Sequence, residues 1–324
     1  MKKAAVIFTG GTISMTVDKR VKAAIPSMDS EAIMSMVTNI DQIAQLETVD
    51  FGKFPGPHMT PDRMMALKKL VQEKLDQPDI DGVVITHGTD NLEETAYLLD
   101  LTLKHEKPIV VVGAMRNGSE LGYDGPSNLS AAICTAIHPK SAGRGVLVVL
   151  NDEVNSAREV TKTHTMALDT FKSLDFGPIG IVDQQDVIFY RQGLHPTLFL
   201  DTDTIEPDVH LLKAVSGMDS KILNFLVGSG AKGIVIEAMG RGNVPPEMVE
   251  GIQNAVAAHI PVVIVSRCPM GRVLGTYGYE GGGASLKEAG AILANTLNGQ
   301  KARIQLMLVL SLTRDVQEIK KYFI

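Results

Sequence analysis

Cysteine is scarce in this sequence, with only Cys134 and Cys268 among 324 residues. The two lie far apart and suggest no disulfide framework, so we predict reduced, buried thiols in a reducing compartment. Metal-ligand spacings are also missing, since neither His-x-x-x-His nor Cys-x-x-Cys occurs and the eight histidines are scattered. The sequence has no phosphate-binding loop and no dinucleotide-binding glycine motif either. We therefore predict no metal site and no cofactor.

Long apolar runs and clusters of basic residues are missing as well. The first apolar run covers only residues 4–8, too short for a signal peptide or for a membrane span of about 20 residues. The net charge is −6 and no basic patch stands out, so a nucleic-acid backbone would find no cluster of lysine or arginine to bind. These absences predict a cytoplasmic protein with neither a membrane nor a nucleic-acid partner.

The chain does contain enough apolar material for large cores. Hydrophobic residues make up 44% of the sequence and charged residues 21%, as is typical of soluble globular proteins. A chain of 324 residues exceeds one typical small domain, which predicts two. Residues 191–210 hold prolines, threonines and acidic residues with little periodicity, and we interpret them as a linker. The predicted domains are residues 1–190 and 211–324.

Short aliphatic runs alternate with helical patterns in the first domain. The spacing of apolar residues predicts helices over 61–75 and 91–104. The aliphatic runs lack polar alternation, which is typical of strands buried on both faces. They cover residues 4–8, 82–85, 109–112 and 145–150. This order predicts an α/β fold whose larger amino-terminal domain is a doubly wound, mostly parallel sheet.

The second domain repeats the strand–helix–strand order on a smaller scale. Aliphatic runs cover residues 233–236 and 261–265, with a helical pattern over 246–259 between them and two further helices at the end of the chain. We therefore predict a smaller carboxyl-terminal α/β domain.

Two threonine motifs follow apolar runs in the first domain. They are Thr9-Gly10-Gly11-Thr12 and Thr86-His87-Gly88-Thr89-Asp90. Ligands of parallel α/β sheets bind at the carboxyl ends of the strands, where both motifs lie. The glycines before Thr12 let backbone approach a ligand and offer N–H groups to a developing oxyanion, so Thr12 is our candidate nucleophile. The alternative is a turn with a helix-capping hydroxyl.

Thr89, Asp90 and Lys162 are further candidates. A lysine held close to a threonine hydroxyl and away from water can act as a base, but most lysines are solvated surface residues. Only contact between Lys162 and Thr89 would favour the first interpretation. Asp90, three residues before Glu93, also fits a capping box at a helix start, which leaves a purely structural role open.

The motifs together resemble the bacterial-type L-asparaginase family. Similar blocks follow in order through the amino-terminal domain, with weaker similarity to the carboxyl end. They are Thr9-Gly10-Gly11-Thr12-Ile13, Ile85-Thr86-His87-Gly88-Thr89-Asp90, Gly113-Ala114-Met115-Arg116, Asp124-Gly125-Pro126-Ser127-Asn128-Leu129, Val160-Thr161-Lys162-Thr163 and Thr170-Phe171-Lys172-Ser173.

The resemblance implies a role for each matching residue. Thr12 would form an acyl-enzyme, Thr89 and Lys162 would be the second threonine and its lysine, and Asp90 would hold the substrate ammonium. Gly11, Gly88 and Ala114 would position the amide and its oxyanion. The implied reaction releases ammonia first, after which water releases aspartate.

The chain departs from the family pattern in two places. Residues 13–30 contain no tyrosine, whereas secreted members carry one in the flexible loop after the first threonine. In the predicted substrate-binding segment Gly56-Pro57-His58, glycine replaces the serine that would hold the substrate α-carboxylate, and only backbone groups remain there. Residues 14–26 lack a clear pattern, and we interpret them as a loop; in compact enzymes a loop of this length is often a lid.

A replacement for the missing tyrosine is predicted in the second domain. Tyr279 matches a Tyr-x-x-Gly element of the cytoplasmic branch of the family, and we expect its phenol to approach Thr12, from a neighbouring subunit or from its own. Glu280 and Asn243 are predicted to bind substrate with it. The alternative for Tyr279 is a loop in which the aromatic ring packs on its own glycines.

The resemblance also implies an assembly, a homotetramer built from intimate dimers. L-Asparagine is the predicted substrate. Two alternatives stay open, a mixed glutaminase-asparaginase and a non-catalytic amino-acid sensor of the same fold. Turnover of glutamine would distinguish the first, and absence of turnover despite binding would distinguish the second.

Overall fold

The computed structural model describes residues 1–38, 40–193 and 198–323. The chain divides into two compact units, Met1–Phe199 and Leu200–Ile324. Residues 194–197 of the predicted linker lie outside the described residues, and a strand begins at Val209 within that predicted linker. No helix in the described part of the chain is both long and apolar enough to cross a bilayer.

The first unit is built around one large sheet. Its order is β12-β11-β8-β7-β6-β5-β1-β4. The strands of this unit are β1 (Lys3–Gly10), β2 (Met15–Asp18), β3 (Ala23–Pro26), β4 (Gln45–Phe54), β5 (Gly82–Thr86), β6 (Ile109–Val112), β7 (Val146–Leu150), β8 (Glu153–Ser156), β9 (Thr161–Lys162), β10 (Phe171–Lys172), β11 (Gly180–Asp183) and β12 (Asp186–Phe189). Strands β4, β1, β5, β6 and β7 are parallel. The remaining pairs, β7 with β8, β8 with β11 and β11 with β12, are antiparallel. The predicted mostly parallel α/β sheet is confirmed.

Helices cover this sheet because its central strands are apolar on both faces. Every residue of β5, β6 and β7 is buried. On one face, alternate side chains such as Val84, Val110 and Leu147 share a core with Leu129 and Ala132. The helices of the unit are α1 (Ser30–Met34), α2 (Ile40–Ile43), α3 (Pro61–Leu75), α4 (Leu92–Thr102) and α5 (Gly125–Ile137).

The predicted helix 61–75 agrees with α3 at both ends. Pro61 is its first residue, where a missing N–H has no cost, and Thr60 caps it by accepting a hydrogen bond from the Arg63 N–H. The predicted helix 91–104 is shorter in the structure, because the backbone is extended again at Leu103.

Residues 14–26 form a hairpin rather than the expected patternless loop. Strands β2 and β3 pair antiparallel, with Met15 opposite Pro26 and Asp18 opposite Ala23. The Asp18 carboxylate accepts hydrogen bonds from two N–H groups of the turn, and Lys22 has a left-handed φ of 55°. These local bonds make the turn without glycine or asparagine at its centre, which is why the sequence pattern did not indicate it.

Strand β4 was missed because it lies at the edge of the sheet. It pairs on one side only, with β1, and each of its residues is exposed or half-buried. Such a strand carries polar side chains and lacks the continuous apolar run by which the central strands were found.

The second unit has a four-stranded sheet of its own. Its strands are β13 (Val209–Lys213), β14 (Gly233–Ala238), β15 (Val262–Ser266) and β16 (Ile292–Leu293), all parallel and in chain order. Its helices are α6 (Lys221–Ser229), α7 (Val249–Ala257), α8 (Gly283–Glu288), α9 (Gly299–Leu312) and α10 (Val316–Lys321). The smaller carboxyl-terminal α/β unit is thus confirmed. The predicted helix 246–259 begins instead as a 3-10 turn, Pro246–Met248, before α7.

The two cysteines differ in environment. Cys134 lies on α5, is 2% exposed, and its burial raises the pKa of its thiol. Cys268 is exposed, so the prediction of two buried thiols is wrong for this residue. It follows β15 in a loop where its N–H bonds to the Ser266 hydroxyl, beyond the apolar strand that we expected to bury it.

Candidate active site

Four neighbouring strands of the first unit bring the predicted residues to one edge of the sheet. Strands β4, β1, β5 and β6 are adjacent and parallel, so their carboxyl ends lie together. The chain moves from β1 to β4 on one side and then to β5 on the other. Such a reversal of strand order is where open α/β sheets bind ligands.

Glycines allow the backbones to touch at this edge. A β-carbon on Gly11 would lie 2.4 Å from the Gly88 Cα, and one on Gly88 would lie 2.6 Å from the Gly56 Cα. Gly11 also has a left-handed φ of 84°. The three segments are therefore in direct backbone contact, which no residue with a side chain would permit. This contact gives the Gly-Gly-Thr and His-Gly-Thr patterns a physical reason beyond turn formation.

Thr12 begins a single 3-10 turn, Thr12–Ser14, directly after β1. The Gly11 N–H donates to the Phe54 carbonyl at 2.8 Å, and the Ser14 hydroxyl donates to the Gly11 carbonyl at 2.9 Å. Across the described residues, the Thr12 hydroxyl takes part in no hydrogen bond, so it caps no helix here. Backbone contacts hold the turn and leave this half-buried hydroxyl available.

Lys162 contacts the second threonine. Its ammonium donates to the Thr89 hydroxyl at 3.0 Å and to the Asp90 carboxylate at 2.8 Å. Thr89 is 5% exposed and the Lys162 side chain 17%, whereas the Asp90 side chain is 62% exposed. The structure thus brings together three of the predicted residues, although 72 positions separate Lys162 from Asp90.

Glu93 is a member of this cluster that the sequence reasoning missed. Its carboxylate accepts a hydrogen bond from the Thr161 hydroxyl at 2.9 Å and from the Lys162 N–H at 3.2 Å. It is 4% exposed and lies in the first turn of α4, where the helix dipole favours a negative charge. Glu93 therefore holds the strand that carries Lys162.

The capping-box interpretation of Asp90 is wrong. Helix α4 is preceded by Asn91 at its N-cap, and no side chain caps it. Both carboxylates of the supposed box, Asp90 and Glu93, instead bond to residues 161 and 162. The signal in the sequence was their three-residue spacing, but spacing alone could not show that their partner is a distant strand.

His87 supports the end of β5. Its ring is fully buried, and burial lowers its pKa to about 4. Nδ1 lies 2.8 Å from the Gly88 carbonyl and Nε2 lies 2.8 Å from the Thr95 hydroxyl. A neutral ring has one N–H, so Nδ1 donates to the carbonyl and Nε2 accepts from Thr95. Across the described residues, no three His, Cys, Asp or Glu side chains are grouped closely enough to hold a metal ion.

Ala114 and Gly56 lie on either side of the Thr89 segment. Ala114 is buried, and a β-carbon on its neighbour Gly113 would lie 3.0 Å from the Thr89 methyl group. A β-carbon on Gly56 would lie 3.3 Å from the Asp90 Cβ. Gly56 thus lies next to the residue that follows the second threonine, and the neighbour of Ala114 lies next to its methyl group.

Pro57 and His58 follow Gly56 in the 3-10 turn Gly56–His58, and both are exposed. The Gly56 backbone of this turn lies against the segment that carries Asp90.

The predicted residues of the second unit are near one another within that unit. The Asn243 side-chain oxygen accepts a hydrogen bond from the Gly283 N–H at 3.1 Å, which holds the start of α8. Tyr279 and Glu280 are exposed in the loop before it. The Tyr279 ring lies 5.6 Å from the ring of Tyr277. Asn243 and the tyrosine loop are thus neighbours within this unit.

Together these features define a two-unit α/β protein with paired threonines at the carboxyl edge of a parallel sheet, one of them bonded to a lysine. The family model "Asparaginase, N-terminal" matches residues 3–195, and the model "Glutaminase/Asparaginase C-terminal domain" matches residues 208–323. The chain belongs to the asparaginase family.

Individual relatives match over nearly their full lengths. A protein of Deinococcus radiodurans named "Probable L-asparaginase" is 38% identical, covering 100% of this chain and 97% of the relative. The "Probable L-asparaginase periplasmic" of Haemophilus influenzae is 36% identical over 98% and 91%. The crystal structure of a "Probable Cytoplasmic L-asparaginase" from Campylobacter jejuni is 32% identical, with a TM-score of 0.90 over 100% of this chain and 99% of that one.

Proposed function

We propose that this protein is a cofactor-free L-asparaginase, an amidohydrolase that converts L-asparagine and water to L-aspartate and ammonia. The observation that carries this proposal is the bond from Lys162 to Thr89 at a sheet edge shared with Thr12. The names of the full-length relatives support the choice of substrate. A pure binding protein would have little use for a lysine directed at a threonine hydroxyl.

In the proposed reaction, the Thr12 oxygen attacks the side-chain amide carbon of asparagine. The hydroxyl proton passes to the departing nitrogen, which leaves as ammonia, and an aspartyl ester forms on Thr12. Water then attacks the ester carbon, and the Thr12 oxygen leaves and regains a proton. Backbone N–H groups near Gly11 and Thr89, close together at the glycine contact, would stabilise the oxyanion of each step.

The Thr89–Lys162 pair transfers protons in this proposal. The Lys162 ammonium first gives a proton to solvent, and the neutral amine then accepts a proton from the Thr89 hydroxyl, which takes one from the attacking water. The lysine returns this proton through Thr89 to the Thr12 oxygen as it leaves the ester carbon. Asp90 holds the substrate ammonium, for which its 62% exposed carboxylate remains accessible. Gly56 lies beside Asp90 and offers only backbone groups to the substrate α-carboxylate.

Tyr279 supplies the phenol that helps to activate Thr12, with Asn243 and Glu280 completing the substrate contacts. The resemblance to the cytoplasmic branch of the family and the exposure of this tyrosine support the assignment. Tyr279→Phe should lower turnover by two or more orders of magnitude, about 3 kcal/mol of transition-state stabilisation. Tyr277→Phe is the matched control, because this neighbouring ring is similarly exposed. Near-normal turnover of Tyr279→Phe would remove Tyr279 from the mechanism.

Ammonia release tests the reaction itself. Wild-type protein, Thr12→Ala and Thr89→Val would be compared on L-asparagine and on L-glutamine at neutral pH, with the exposed Thr38→Ala as control. We expect rapid turnover of asparagine, unchanged in the control and lowered at least about a thousandfold in both site variants.

The same measurement separates the alternatives. Comparable turnover of glutamine would identify a mixed glutaminase-asparaginase. A folded wild-type protein that binds asparagine or aspartate without releasing ammonia would instead be an amino-acid sensor.

We further propose a cytoplasmic homotetramer built from intimate dimers. The cytoplasmic location follows the name of the Campylobacter neighbour, and the assembly follows the resemblance to the family. Sedimentation velocity should give the mass of four chains. Cell fractionation should recover the protein with soluble cytoplasmic markers, and recovery from the periplasm would contradict the location.

A further inference from the structure

The loop between β6 and α5, residues 113–124, lies against the Thr12 turn. The Tyr123 hydroxyl donates to the carbonyl of Ile13, the residue directly after Thr12. Two more bonds join this loop to the chain beyond the turn, from the Gly118 N–H to the Met15 carbonyl and from the Val17 N–H to the Ser119 hydroxyl, both at 2.9 Å. The turn is therefore braced by a loop as well as by strand β4.

Tyr123 is held firmly in place. A β-carbon on Gly125 would lie 2.3 Å from both the Cζ and the hydroxyl oxygen of Tyr123, so the ring occupies space that only glycine leaves open. The ring is half-buried and packs on the apolar core. Burial raises the pKa of this phenol above its ordinary value, so the hydroxyl stays protonated and remains a donor at working pH.

The other end of the same loop is fixed beside Thr89. The Asp124 carboxylate accepts hydrogen bonds from the Met115 N–H at 3.0 Å and from the Arg116 N–H at 2.9 Å. Asn128 donates from its amide both to Asp124 and to the Gly113 carbonyl, each at 3.0 Å. One braced loop thus connects Ala114, beside the second threonine, with Ile13, beside the first.

We propose that Tyr123 is a positioning residue for Thr12. Its bond to the Ile13 carbonyl fixes the position of the Thr12 turn relative to the segment that contains Ala114. The inference rests on the proposed function, because positioning matters only if Thr12 reacts. A nucleophile displaced by a fraction of an ångström attacks more slowly, whereas a ligand bound by other groups is held as before.

The test compares two variants that each remove one hydroxyl from this loop. Tyr123→Phe removes the bond next to Thr12, and Ser119→Ala removes the bond to Val17 in the hairpin. We expect Tyr123→Phe to lower kcat for L-asparagine by about tenfold to a hundredfold. KM and the dissociation constant of L-aspartate, measured by calorimetry, should change by less than about twofold. Ser119→Ala should keep the wild-type kcat.

A second variant displaces the phenol without removing it. Gly125→Ala should lower kcat in the same way, because the added methyl group occupies the place of the ring. It replaces Tyr123→Phe in the test if that variant does not fold, which thermal unfolding of each protein would reveal.

The outcomes separate this inference from the proposed function. Wild-type kcat in Tyr123→Phe, or equal losses in Tyr123→Phe and Ser119→Ala, would overturn the positioning role and leave the asparaginase proposal standing. A wild-type protein that releases no ammonia would overturn both.

Discussion

The two threonines at the sheet edge are held in different ways. Thr12 lies on a turn fixed by backbone groups, with the Gly11 N–H bonded to Phe54 and the Ile13 carbonyl bonded to Tyr123. Thr89 lies in a cluster of side chains, in which Lys162 bonds to its hydroxyl and Glu93 bonds to the strand that carries Lys162. The first is positioned by hydrogen bonds to its neighbouring backbone groups, and the second by hydrogen bonds from charged side chains.

This difference assigns the two halves of the proposed chemistry. The proposed proton-transfer partner of Thr89, Lys162, lies 3.0 Å from its hydroxyl. The Thr12 hydroxyl has no hydrogen-bond partner among the residues that the structure describes, so its activation has to come from the substrate or from another group. Tyr279 is our candidate for that group. Substitutions at the contacts around each threonine test this difference.

The largest effect is expected at Lys162. Lys162→Met keeps the stem of the side chain but removes the amine, and loss of a general base lowers kcat by about a hundredfold to ten-thousandfold. Lys172→Met is the matched control, since Lys172 lies on β10, the strand paired with β9, and its ammonium bonds to Glu153 rather than to Thr89. Steady-state ammonia release measures both. Equal effects of the two substitutions would show that the Thr89 cluster transfers no proton.

The glycine contact should be the next most sensitive feature. A β-carbon in Gly88→Ala would lie 2.6 Å from the Gly56 backbone, so a strand end has to move. We expect kcat/KM to fall about a hundredfold and the free energy of unfolding to fall by about 1–3 kcal/mol. Gly228→Ala on α6 is the control, because no atom lies within 4 Å of its added carbon and alanine favours a helix. Equal activities would mean that the close contact is not needed.

A substitution at Glu93 tests whether the charge of this side chain positions β9, the strand that carries Lys162. Glu93→Gln keeps the shape of the side chain but weakens its bonds to Thr161 and Lys162, and we expect kcat to fall about tenfold because charge-assisted bonds contribute about 1.5–3 kcal/mol. The exposed Glu73→Gln should have no effect. Activity of Glu93→Gln close to that of wild type would assign Glu93 to packing alone.

The smallest effect on activity at neutral pH is expected from the pH dependence of stability, which changes the free energy of unfolding only in acid. Burial holds the pKa of His87 at about 4, below the unfolded value of 6.5. Between these values the unfolded chain binds a proton that the folded chain does not, so stability falls as the pH is lowered from 6.5 towards 4, by about 3 kcal/mol. Urea unfolding at pH 7 and pH 4.5 measures this loss.

Two histidine substitutions complete that test. His87→Gln should lose this part of the pH dependence, and the exposed His58→Gln should keep it. The same slope in all three proteins would show that His87 is not the group responsible.

Much of the fold was predictable because it depends on local patterns. The aliphatic runs that became β1, β5, β6 and β7 are buried on both faces, so they carry no polar alternation and stand out in the sequence. The strands at the other edge, β8, β11 and β12, are short and partly polar, and they were missed for the same reason as β4.

The candidate site divides in the same way between sequence and tertiary structure. The sequence by itself determined the α/β class, the two glycine–threonine motifs and their place at strand ends, because burial and backbone freedom act over a few residues. Only the tertiary structure decided that Lys162 bonds to Thr89, that Glu93 holds its strand rather than capping a helix, and that Tyr123 braces the Thr12 turn. Those contacts join residues 68 to 110 positions apart, and no local pattern encodes which distant side chain closes such a loop.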